Sequence, residues 1–178
     1  VVLGKMLQSE PKRDTDTEEY YLRSANLQWS GIDVSDVKTM WFSLEEKRQL
    51  LLNNGDLLVS EGGDVGRCCL WADEVTPCYF QNAINRVRPL RSGSSRFLFY
   101  WILNMKCSGF IDATVARITI AHLTAEKLER MPVPVVPNNE QRRIAAYLDA
   151  SCAAIDRAIE TKQKQLENLD ILRRSIIQ

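Results

Sequence analysis

Apolar residues follow two rhythms along this chain. Through residue 137, short apolar runs alternate with polar turns. Beyond it, apolar residues recur every seven positions. The first rhythm predicts short strands and helices. Tyr20 to Gln28 has strand character and ends at a turn, Ser30-Gly31. Ser43-Leu44-Glu45-Glu46 is a capping box, predicting a helix to about Leu52. Asn53-Asn54-Gly55 then closes it with residues that tolerate left-handed backbone. Asp56 to Ser60 reads as a buried strand and Glu61 to Arg67 as a glycine-rich loop. Cys68 to Trp71, Ala83 to Val87 and Arg117 to Ile120 read as further strands. A helix from Ser95 to Lys106, with Gly109 just past its end, is apolar nearly all round and is expected to lie in the core. Thr124 opens a short helix that stops before Pro132.

Met131 to Pro137 carries three prolines, which favour a stiff, extended connector. The domain boundary is placed there, dividing 1–137 from 138–178. The second part contains neither glycine nor proline. Asn138 is expected to cap a helix, with Gln141 as its capping-box partner. One register of the seven-residue repeat runs Ala145, Cys152, Ile159, Leu166, Arg173. The other runs Leu148, Ile155, Lys162, Leu169, Ile176. Together they make an a/d seam with two charged interruptions. Such a helix would reach roughly 60 Å at ~1.5 Å per residue, and it is too one-sided to be stable alone. Leu148, Cys152, Ile155, Ile159, Leu166, Leu169 and Ile176 are therefore expected to face a second long helix. The alternative is a helix folded back on its own domain.

The length of 178 residues suits one domain plus an appendage, and the 45% apolar and 26% charged content is that of a soluble globular protein. No apolar run is long enough to span a bilayer, and no membrane partner or secretory signal is expected. The chain opens on Val1, which reads as a trimmed or processed product. Five cysteines without a C-x-x-C pair, and a single histidine, His122, argue against a metal site and for reduced thiols in a cytoplasmic protein. There is no phosphate-loop signature and no strand-linked G-x-G-x-x-G. The Gly62-Gly63-Asp64-Val65-Gly66 loop is read as a tight turn rather than a phosphate cradle. His122 has no second histidine for acid–base work, so no catalytic residue is assigned.

Net charge is zero, yet its distribution is uneven. Residues 75–111 hold five bases (Arg86, Arg88, Arg91, Arg96 and Lys106) and no acid. Such a block is either a phosphate-binding footprint or a face whose acidic partners come from elsewhere in the fold. Arg86, Arg88, Arg91 and Arg96 follow Gln81 and Asn82. Arginine pairs with guanine, and Asn or Gln with adenine, in the major groove. Arg67, at the end of the glycine loop, joins these candidates. Lys12 and Arg13 lie in the polar loop Gln8 to Glu19, read equally as a DNA contact or a solvated, disordered segment. Asn26 and Gln28, with Ser24 and Trp29, alternate as DNA-facing or simply half-buried strand residues.

Several segments together resemble a known family. Tyr21 to Trp29 (YLRSANLQW), Leu57 to Arg67 (LLVSEGGDVGR), Tyr79 to Pro89 (YFQNAINRVRP), His122 to Pro134 (HLTAEKLERMPVP) and Glu140 to Asp149 (EQRRIAAYLD) are similar to segments of type I restriction–modification specificity subunits, in the expected order. The resemblance implies that residues 1–137 are an α/β target-recognition domain and that residues 138–178 are a coiled-coil-type spacer helix. It implies a non-catalytic protein that reads one half of a split double-stranded DNA target. Two methyltransferase subunits, which bind S-adenosylmethionine, and translocating nuclease subunits, which use ATP and Mg²⁺, would be its partners. No cofactor is expected in this chain. The competing reading is a coiled-coil assembly module that does not bind DNA.

Overall fold

The computed structural model describes residues 1–90, 93–115 and 122–176. Its organisation follows from one strand, β6 (Leu57–Ser60), which is buried along its whole length. Leu58 points into one apolar core and Leu57 and Val59 into another, as the two-residue period of a strand requires. This is why the segment reads as continuously apolar.

β6 is flanked on both sides by antiparallel neighbours, β7 (Cys68–Leu70) and β9 (Ile84–Val87). β1 (Val2–Leu3) adds to β9, giving the order β1-β9-β6-β7. A second sheet places β2 (Thr17–Leu22) between antiparallel β5 (Lys38–Phe42) and parallel β8 (Tyr79–Phe80). The first core, with Leu22, Phe42, Trp71 and Phe80, is shared by these two sheets. A small hairpin, β3 (Leu27–Gln28) and β4 (Gly31–Ile32), turns through Trp29 and Ser30.

The expected strand from Tyr20 to Gln28 is interrupted. A 3-10 turn at Ser24–Asn26 separates β2 from β3. Asn26 is the cause: its Oδ1 accepts from the Arg23 amide at 2.8 Å, a local turn bond that competes with strand pairing. The capping box at Ser43 opens α1 (Leu44–Leu50) as expected, with both reciprocal bonds present. Gly55 closes that region at φ 83°.

α2 (Ser95–Cys107) and α3 (Phe110–Val115) cover the second core, with α4 (Ala125–Glu129) beside them. Thr124 Oγ1 caps α4 by accepting from Lys127 N. α2 is not buried all round. Ile102 and Met105 face the second core, with half-buried Phe99 and Trp101 packed against it, whereas Phe97 and half-buried Tyr100 line the groove toward the last helix. The outer side of α2 is covered from elsewhere: Trp101 Nε1 donates to Pro132 O of the connector at 2.8 Å, and the start of the last helix packs on α2. The expected strand over 117–120 lies outside the described residues.

That last helix, α5 (Asn138–Ile176), is unbroken over 39 residues. Its first turns are docked. Ala145 is buried, and Gln141 bridges two elements by donating to Val136 O at 2.8 Å and accepting from Ser94 N at 3.1 Å. From residue 154 to 175 every position is exposed. Ile155, Ile159, Leu166 and Leu169 thus stand in solvent along the predicted seam, and Cys152 is exposed too. Leu148 differs, being half-buried beside Phe97 and Tyr100 in the α2–α5 groove. No described helix is long and apolar enough to cross a membrane.

All five cysteines are free. Burial pushes the thiols of Cys68 and Cys78 up to about 12 and that of Cys69 up to about 11, so they are unreactive near neutrality. A thiol reagent at pH 8 is expected to label two residues of the native chain, Cys107 and Cys152, and five after denaturation. Mass spectrometry of the labelled chain checks this. If a second helix covers the seam, Cys152 drops out and Cys107 alone reacts.

Candidate nucleic-acid interface

The loops at one end of β9 converge. The 3-10 turn, the glycine loop and the Gln81–Ala83 turn are joined by bonds between segments distant in sequence. Ser24 Oγ donates to Ala83 O at 3.0 Å, and Arg67 Nη2 donates to Ser24 O at 3.0 Å. Glu61 N reaches Ala83 O, and Leu123 N reaches Glu61 O. Trp29, at the tip of the β3–β4 hairpin, donates its indole N–H to Asp64 Oδ2 at 2.9 Å while remaining 51% exposed. Lys106 and Arg67 in turn face the Asp64 carboxylate. The outcome is a ridge built by four chain segments, with an exposed aromatic ring at its tip.

The glycine loop has the geometry of a tight turn. The amides of Val65, Gly66 and Arg67 are bonded to Gly63, Ser60 and Asp64 carbonyls, so they do not point outward as a phosphate cradle would need. Gly66, at φ 83°, also sits where a β-carbon would meet the Ile111 side chain.

Four of the candidate DNA-facing residues meet on this ridge. Gln28 is half-buried and donates to Ala25 O; Arg67 and Gln81 are half-buried; Asn82 is exposed. Lys12 and Arg13 lie apart, in a loop held by its own hydrogen bonds. Asp16 organises it by accepting from the Lys12 and Arg13 amides and from Gln8. These bonds, that of the Lys12 amide foremost, hold the Asp16 carboxyl below the usual carboxylate range. Both basic side chains project free of any ion pair among the described residues.

Two candidates are corrected. Arg86 is only 5% exposed. Its guanidinium donates to Gln49 O and Leu51 O, each at 2.8 Å, and lies over the Phe80 ring. It stitches the end of α1 to β9 and is not available to DNA. Asn26 is 3% exposed, with its Nδ2 donating to Asp33 O.

The basic block does not act as one patch. β9 is four residues long, so Asn82 and Arg88 emerge at opposite ends, roughly 20 Å apart at ~3.3 Å per residue. Arg88 pairs with buried Asp56, Lys106 with Asp64 and Asp112, and Arg96 with Asp149. The acidic partners do come from elsewhere in the fold, although Arg88 and Arg96 each keep an exposed edge. Arg91 lies outside the described residues.

Sequence reasoning missed the partnership of Arg96 with Asp149, which Tyr100 shares by donating its hydroxyl to Asp149 Oδ1 at 2.6 Å. Burial raises the Asp149 carboxyl, but the bonds from Arg96 and Tyr100 outweigh it and hold its pKa below the ordinary value. Burial and the Asp149 carboxylate together raise the Tyr100 phenol. Among the described residues, no three His, Cys, Asp or Glu side chains cluster as a metal site.

A family model for the type I restriction modification DNA specificity domain matches residues 3–168. The chain belongs to that family. Ridge, connector and most of α5 fall within the match. Among solved structures, one is the HsdS subunit from Thermoanaerobacter tengcongensis, with 23% identity and a TM-score of 0.56, covering 86% of this chain and 36% of that one. Another, from work on complex assembly and conformational transition of a type I R-M system, has 23% identity and a TM-score of 0.61, covering 92% and 40%. The specificity domain thus spans about two fifths of the length of those chains, and the likeness establishes the fold. No curated protein matches.

Proposed function

We propose that this specificity domain reads one half of a bipartite double-stranded DNA target, with the ridge against the bases and the Lys12–Arg13 loop on the phosphates. The observation that carries the reading is the ridge inside a family-matched chain. Exposed Asn82, half-buried Gln28, Gln81 and Arg67, and the anchored Trp29 present base-reading chemistry on a preorganised support. Free lysine and arginine on a separate loop suit backbone positioning. The domain contributes recognition and not catalysis.

The exposed seam of α5 supports the second half of the proposal. It pairs with another long helix, from a second copy of this chain or from the other half of a longer subunit. Methyltransferase subunits carrying S-adenosylmethionine dock on that scaffold, and ATP- and Mg²⁺-dependent nuclease subunits join them.

The test is a selection. The chain, assembled with its methyltransferase partner, is incubated with a randomised duplex library and the retained DNA is sequenced. A short motif, single or repeated at fixed separation, is the expected result. Retention of no sequence at low salt by a properly assembled complex would overturn DNA reading and favour the assembly module. On the selected DNA, Lys12→Ala with Arg13→Ala should lower the slope of log K against log salt by roughly 1–2, since each phosphate contact contributes ~0.9, while base preference is kept. Titrations at several salt concentrations check this.

A further inference from the structure

We propose that Arg96, Tyr100 and Asp149 form a latch that registers the long helix to the reading ridge, making them positioning residues for the separation between the two half-sites. The inference rests on the DNA-reading proposal above.

The latch sits where leverage is greatest. Asp149 is the last residue of α5, among the described residues, to hydrogen-bond the globular part. Everything from 154 to 175 is exposed. Beyond Asp149 the helix runs about 40 Å at ~1.5 Å per residue. A tilt of about 5° at its base would therefore move the far end by about 3.5 Å, close to the ~3.4 Å rise of one base pair. A small angular error at Asp149 is thus amplified at the far end to the scale of one base pair, wherever the duplex lies along the direction of tilt.

The far side of the latch reaches the ridge. Arg96 packs over the Phe99 and Tyr100 rings. It also lines a hollow of about 190 Å³ beneath the β3–β4 hairpin, together with Trp29, Gly31 and Phe99. Arg96 therefore lines a hollow shared with the reading hairpin while its guanidinium holds the base of the helix. Gln141 adds a second tie eight residues earlier, to Ser94 and Val136. Two ties separated by two turns fix rotation as well as tilt, and rotation is the quantity that sets the phase of a half-site on the duplex.

The carboxylate form makes the latch, and its pKa is lowered in the folded chain. The stabilisation is present above the unfolded value of about 3.9 and is lost only as pH falls through the lowered value. Half-site separation should therefore be unchanged from about pH 6 to pH 8.

The experiment repeats the randomised-library selection with the full chain in its complex, carrying either Asp149→Leu or the pair Arg96→Gln and Tyr100→Phe. Circular dichroism establishes that each variant is folded, and the two routes to the same broken latch guard against failure of either. The expected result is an unchanged half-site motif with a broadened separation. Sites one base pair longer or shorter should gain about tenfold relative to the preferred one, the scale of one charge-assisted bond pair. Asp149→Glu should partly restore the narrow distribution. An unchanged separation in both variants would overturn the latch while leaving DNA reading intact. Loss of the motif in folded variants would overturn it as well, because the residues would then be reading DNA themselves. Absence of a motif for the unsubstituted chain would instead remove the reading on which the latch rests.

Discussion

Replacing Ile159 and Leu166 together by glutamate is expected to abolish pairing of the long helices. Both side chains lie on one register of the seam and are at least half exposed in the single chain. Burial of each against a partner stabilises by about 1.5–3 kcal/mol. In a pair of identical helices four such side chains are lost, some 6 kcal/mol at the low end. The four introduced carboxylates would need desolvation on top of that. The pairing constant should fall by at least about 10⁴-fold. Analytical ultracentrifugation would show a single chain where the unsubstituted protein forms a pair, or release of the chain from its larger partner. The globular part should melt unchanged, because neither residue touches it. Persistence of the pair would mean that the exposed seam is not the interface.

Arg86→Met is expected to be the most destabilising change among the arginines. The guanidinium is buried and donates to two carbonyls at the end of α1. Methionine keeps most of the volume and removes both bonds, leaving Gln49 O without that donor and Leu51 O with only Arg88 Nη2 at 3.0 Å. Bonds from a charged donor are worth about 1.5–3 kcal/mol each, so two of them give about 3–6 kcal/mol, and the low end is expected because Leu51 O keeps the Arg88 bond. For a chain of this size that lowers Tm on the order of 10 °C. DNA affinity per folded molecule should not change, and neither should its salt dependence. A stable variant with a reduced salt slope would place Arg86 at the phosphates after all.

These two expectations mark what could and could not be read from the chain. The long helix α5 was legible because a periodic stretch free of glycine and proline is a local property of sequence. β6 was legible for the same reason, as were the capping box at Ser43 and the N-cap at Thr124. The 3-10 turn at Asn26 was not, because strand alternation and a side-chain turn bond compete on near-equal terms there. The two-residue strands β1 and β8 exist only through their partners, Asn85 and Arg86 for one and Tyr21 and Leu22 for the other.

Charge was the least legible quantity. The run from Arg86 to Lys106 reads as a patch, yet Asp56, Asp64, Asp112 and Asp149 reach it from four different parts of the chain. Sequence proximity places those bases within one segment, while the strand and helix between them send their side chains to different faces. The ridge emerged from the same folding of distant segments. Ser24, Arg67 and Ala83 are neighbours only because β9 and β6 bring their loops together.

Photo-crosslinking shows directly whether DNA lies against that ridge. Selected duplexes carrying 5-iodouracil at successive positions are bound by the assembled complex, irradiated, and the linked peptides sequenced. Crosslinks should map to 24–29, 62–67 and 81–83, with Trp29 foremost among them. Crosslinks confined to α5, or to the opposite end of β9 around Arg88, would place the DNA away from the ridge.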